Sequence, residues 1–408
     1  METSSMAQLF HIQPFRSIYV CCRAGIVLLK LPIWTLLYFA GLKRPRPSWT
    51  LKKTLLVSAL ADLIKMPMTT GDFFARDHTK EVDAKHCQDA RFLWVDAITP
   101  ELITGEMKRF ADACGAESQR IPAYGFGKWG TAPDVPLAKD GEKVILNLHG
   151  GGFIAGTAHP QDFTANIPRG LAQYGDPVLT RIMSVDYRKS ASHPYPVAAP
   201  FPTALIDALA GYTYLTRRLG FKPQNVIICG DSAGGNLALG LVRYLRDTPG
   251  LGLGMPGGLI LISPWVDIIA TATRAPGNQV AKNQKTDYIQ PSTQYRAGVY
   301  AYLSYLGQLT VEETRKSVYL SPASFELDPA VVPGMFIGFP RTYIVGGDAE
   351  IFMDSLRLLH QRMVSDMGKE AVVYDEVVDA MHDFVAFPLW EPERSSTFER
   401  LISWIQNL

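Results

Sequence analysis

A serine set between glycines at the end of an apolar run is the first chemically suggestive feature of this 408-residue chain: "VIICGDSAGGNLALG", residues 226–240, carries G-x-S-x-G at 230–234. Between a strand and a helix, this motif makes a sharp turn that lifts the Ser232 hydroxyl out of a sheet, and the helix N-terminus aims backbone N–H groups at the reacting centre. A serine hydroxyl is a poor nucleophile without a base, so a histidine is required beyond the last strand, in the order serine, acid, histidine. Of the eight histidines, His382 in "DAMHDFVAF" stands in that place, whereas His360 lies in a helix body. The acid must orient the imidazole from just past "TYIV" at 342–345, where Asp348 and Glu350 in "GGDAEIFMD" are both in reach. "LHGGGF" at 148–153 places three consecutive glycines at another strand end. The amides of Gly151 and Gly152, completed by that of Ala233 after the serine, would make an oxyanion hole. Asp231 then belongs to the turn and is not the acid.

The elements that must position these residues are legible as alternation. Apolar runs at 144–148, 178–187, 226–229, 259–263, 342–345 and 371–377 are continuous, as expected of parallel strands covered on both faces. Helical patterns at 197–219, 235–247, 351–367 and 392–407 separate them, which predicts a doubly wound α/β sheet. Residues 49–135 contain no strand run of that kind and read as an appended helical cap, with the catalytic domain at 136–408. An insertion at about 270–318, rich in Tyr and Gln, would sit over the carboxyl ends of the strands, where ligands bind in such sheets.

"HGGGF", "GDSAGGN", "VDYRKSASHPYPVAAPFPTALIDAL", "SP" at 321–322 and "MHDF" together resemble the hormone-sensitive-lipase-like, arylacetamide-deacetylase-like branch of the α/β-hydrolases over residues 136 to 408. The resemblance implies an α/β-hydrolase fold with a helical cap and an esterase triad. It also implies a register for the acid: counting from Pro340 selects Glu350, with Asp348 in reserve. Most relatives carry Asp there, and "YRKSASH" departs from the usual "YRLAPE".

Composition narrows the rest. Forty Lys and Arg against 39 Asp and Glu give a net charge of +1, so no overall field recruits nucleic acid. Five cysteines, two of them adjacent, argue against a disulfide framework and leave only a Cys87–Cys114 bridge open. No HExxH, CxxC or His/Cys cluster suggests a metal, and no cofactor is expected. The apolar segment "SIYVCCRAGIVLLKLPIWTLLYFAGL" at 17–42, within an N-terminal region of 48 residues, reads as membrane attachment. Its length suits a spanning anchor, while Arg23 and Lys30 favour a helix lying in the interface. A cleaved signal fits less well, since no A-x-A site follows.

The expectation is therefore a membrane-attached serine carboxylesterase or deacetylase acting on a lipophilic ester, at the endoplasmic reticulum or another internal membrane, with its oligomeric state open. An amide or lactone hydrolase, an acyltransferase or a non-catalytic binding protein on the same fold are the alternatives, since the fold alone does not fix the reaction.

Overall fold

The computed structural model describes residues 9–10, 12–64, 66–70, 77, 79–193, 195–269, 278–289 and 299–408. The central runs become strands because their β-branched residues pack on both faces of the sheet. These strands are β1 (Ala90–Val95), β2 (Ile121–Gly127), β3 (Val144–Leu148), β4 (Arg181–Val185), β5 (Val226–Asp231), β6 (Gly258–Ile262), β7 (Thr342–Gly347) and β8 (Val372–Val377). They form one sheet in the order β1-β2-β4-β3-β5-β6-β7-β8, in which β2 is antiparallel to both neighbours and β3 to β8 run parallel.

The labelled helices are α1 (Phe15–Phe39), α2 (Leu51–Leu63), α3 (Gly105–Cys114), α4 (Asn166–Gly175), α5 (Thr203–Thr213), α6 (Ala233–Asp247), α7 (Val299–Leu306), α8 (Met353–Met367) and α9 (Glu393–Gln406). Alternate strand residues feed two cores. Leu146 and Leu148 pack with α5, α6 and α8 on one face, and Ile145 with α4 and α9 on the other. The helix expected from 197 starts only at Thr203, because Pro200 and Pro202 cannot continue a helix towards the N-terminus.

One expectation is corrected. Residues 49–135 are not a purely helical cap, since β1 and β2 lie within them and join the main sheet. "ARFLWV" and "IPAYGFG" escape the sequence pattern because an antiparallel edge pair built on aromatics, Pro and Gly has no β-branched run. All five cysteines are free, so Cys87 and Cys114 form no bridge. Residues 270–277 and 290–298 of the expected insertion lie outside the described residues.

Candidate active site

At the end of β5 the chain turns into α6 with Ser232 at φ 50°, ψ −117°, a left-handed conformation that costs a non-glycine residue about 1–3 kcal/mol. The surroundings over-determine it. The Ser232 amide donates to the Ile262 carbonyl at 2.9 Å, and its own carbonyl accepts from the Trp265 amide at 2.9 Å. Gly234 is required because a Cβ there would be driven into the Leu148 carbonyl of β3. Ser232 is 7% exposed, and its hydroxyl makes no hydrogen bond among the described residues.

The loop after β3 is tied to this turn. The Gly150 amide donates to Asp231 Oδ2 at 2.9 Å, which makes Asp231 a brace between the two loops. The Tyr187 hydroxyl donates to the His149 carbonyl at 2.6 Å, and the Tyr187 ring stacks on His149 at 4.1 Å. Gly151 sits at φ 110°, and a Cβ on it would strike the Ala155 carbonyl. Phe153 then stacks face to face on Tyr305 of α7, with ring centroids 3.6 Å apart. The amides of Gly151, Gly152 and Ala233 have no acceptor among the described residues.

Of the two carboxylates after β7, the structure brings Glu350 to His382. Glu350 is fully buried, with Oε2 3.6 Å from His382 Nδ1, and accepts the Ser263 hydroxyl at 2.6 Å. Asp348 points elsewhere. It is partly exposed, pairs with Arg46 at 3.4 Å and accepts the Asp379 amide at 2.6 Å.

The sequence reading missed three contributors. Ser263, just past β6, donates to Glu350 and accepts the Asp383 amide at 3.2 Å. The described part of the insertion clamps the Glu350 loop: Asn283 donates to the Asp348 and Glu350 carbonyls at 2.9 and 2.8 Å, and Asp287 accepts the Ile351 amide at 2.8 Å. Asp383, in the left-handed region at φ 49°, places Oδ2 3.0 Å from His382 Nε2, the ring nitrogen a serine hydroxyl would need. Only "HD" in "MHDF" hinted at the last of these.

His382 therefore lies between two carboxylates. Burial alone would push its pKa down, but Asp383 and Glu350 outweigh burial and hold it well above the usual histidine range. Burial raises the Glu350 carboxyl, an effect His382 opposes. Burial raises Asp231 well above the ordinary range and the Asp383 charge adds to this, while burial pushes Asp287 up to about 7.

Residues 145–386 match the family whose description is alpha/beta hydrolase fold. An esterase of Acinetobacter venetianus is 28% identical over 267 residues, spanning 65% of this chain and 75% of its own. Esterase LipU of Mycobacterium tuberculosis is 27% identical, spanning 66% and 80%. Among solved structures, an esterase/lipase from an uncultured bacterium aligns over 93% of this chain and 97% of its own, with TM-score 0.55 and 22% identity. A hormone-sensitive lipase from a metagenome library aligns over 70% and 82%, with TM-score 0.53 and 24% identity. The chain belongs to the alpha/beta hydrolase fold family.

Proposed function

We propose that this protein is a serine carboxylesterase acting on a lipophilic ester. Relatives of this chain are named esterase and carboxylesterase. In this reading Ser232 attacks the ester carbonyl, His382 takes the hydroxyl proton at Nε2 and returns it to the leaving alcohol, and Glu350 holds the imidazolium at Nδ1. The tetrahedral oxyanion rests on the amides of Gly151, Gly152 and Ala233, and water then releases the acyl group from the serine. The observation that supports this most is the buried Glu350–His382 pair, on loops at the same carboxyl ends of the strands as a strained serine and a glycine loop whose amides find no acceptor among the described residues.

A groove of about 1130 Å³ beside the glycine loop has a mixed lining that includes Arg16, Glu117 and Arg188, and neither Ser232 nor His382 lines it. Ile154, two residues beyond Gly152, lines it with Tyr195, Val197, Tyr300 and Leu303. In this reading residues 1–48 attach the protein to a membrane, where apolar esters concentrate. Residues 49–135 carry the cap and the two antiparallel strands β1 and β2, and 136–408 carry the chemistry.

The test is turnover of short-chain p-nitrophenyl esters by the full chain in detergent. Ser232→Ala, folded by circular dichroism, should lose at least about 10⁴-fold in kcat. Equal rates for the two proteins would sink the esterase reading.

A further inference from the structure

The N-terminal helix sorts its residues by polarity in an unusual direction. Arg16, Arg23 and Lys30 recur every seven residues and so share one face of α1 with Tyr19, Trp34 and Tyr38. That polar face is turned towards the protein. Lys30 Nζ pairs with Asp62 of α2 at 2.6 Å, the Arg23 guanidinium donates to the Asp62 carbonyl at 3.4 Å, and the Tyr38 hydroxyl donates to the Trp49 carbonyl at 2.9 Å. The opposite face is apolar and bare: Ile18 is 54% exposed, Leu29 76%, Ile33 57% and Leu36 71%.

The helix on which α1 rests is itself fixed to the body. Lys53 at the start of α2 pairs with Glu393 of α9 at 2.6 Å, and Trp49 packs edge-on against Trp390. A soluble surface rarely carries an apolar stripe that runs the length of a 25-residue helix.

We propose that α1 lies flat in the interface of a bilayer bearing anionic lipids, its Ile18–Leu29–Ile33–Leu36 stripe among the acyl chains and its charged face kept on α2. Length does not decide between lying and spanning, because 25 residues extend about 37 Å. Charge does. Crossing would strip Lys30 from Asp62, or draw Arg23, Lys30 and Asp62 together into hydrocarbon, which a helix lying flat avoids. The choice of a bilayer over a protein partner rests on charge. No Asp or Glu occurs between Glu2 and Asp62, while eight Lys and Arg do, and Arg44 and Lys52 beyond α1 are exposed. An apolar stripe on a segment that carries cations and no acid matches acyl chains beneath anionic headgroups. The proposal specifies the membrane attachment advanced above and does not depend on the esterase chemistry.

The test is flotation of the full-length chain with phosphatidylcholine vesicles, with and without phosphatidylserine, for the wild type and Leu29→Glu/Ile33→Glu. The wild type should float and bind the anionic vesicles more tightly. The double variant should lose at least about 10-fold in partitioning while turning over a soluble p-nitrophenyl ester at the wild-type rate. Loss of that turnover from both proteins would count against the esterase reading alone. An N-terminal epitope tag on microsomes should be digested from the same side as the catalytic domain. A tag protected on the far side, a wild type that fails to float, or a variant that loses only self-association would overturn the proposal.

Discussion

Asp383 sits where the reaction needs an empty approach, and replacing it with Asn gives the most informative perturbation of the site. Its carboxylate lies 3.0 Å from His382 Nε2 and stabilises the protonated imidazole, the form that cannot take a proton from Ser232. At an effective dielectric of about 20, opposite charges at that distance attract by about 5.5 kcal/mol before desolvation is set against them. Measured shifts from a neighbouring opposite charge are about 1–3 pH units. The sign follows from which form works. A base is active when neutral, so a raised pKa delays activity to higher pH, and removing its cause moves the acid limb of the profile down.

Asp383→Asn should therefore move the acid limb of kcat/KM for p-nitrophenyl acetate towards acid. Below the wild-type limb the variant would be the faster enzyme. Glu350 still contacts Nδ1 in the variant, so the limb should remain above that of a free histidine. A limb that stays in place in a folded variant would refute the reasoning, because it would mean that Asp383 does not hold Nε2 in the working enzyme. Asp383→Ser checks that the effect follows the charge and not the loss of one particular side chain.

Two further outcomes bear on the acid. Glu350→Gln should cost about 10³–10⁴-fold in kcat, by analogy with neutralising a triad acid, whereas Asp348→Asn, whose side chain faces Arg46 and the Asp379 amide, should change kcat by less than about 3-fold. Steady-state kinetics on the pair decides it, and the reverse ranking would move the acid to Asp348. Ser263→Ala removes a 2.6 Å donor from a fully buried carboxylate and should lower the melting temperature by several degrees. It should lower kcat more than it raises KM, and a variant unchanged in both would show that Ser263 does not position Glu350.

The parallel strands β3 to β8 could be read because apolar, often β-branched residues dominate most of them, and the serine turn because glycines are obligatory where backbones approach as closely as Gly234 and Leu148 do. Strands β1 and β2 could not, because short segments that mix aromatics with Arg, Pro and Gly follow no pattern that separates strand from loop. Glu350 was separated from Asp348 by family register alone, since two residues of spacing carry no information about which side chain a turn directs inward. Ser263, Asn283 and Asp287 were invisible for another reason. They act through contacts across 60 to 90 positions of sequence, and nothing local in "ISPW" or "NQKTDY" announces a partner.

The stretch that joins α1 to α2 is bound to the reaction centre's own supports. Arg46 donates to the Asp348 carbonyl at 3.0 Å and faces both Asp348 and Asp379, Ser48 bonds Asp379, and the Trp49 indole donates to the Asp379 carbonyl at 2.8 Å. These are the loops from which Glu350 and His382 arise. A soluble fragment that starts at residue 49 would discard a cation and leave two neighbouring carboxylates to repel each other beneath the site. The boundary of any shortened protein therefore belongs before Arg44, and a low rate from one cut at 49 would report a missing buttress and not a missing membrane.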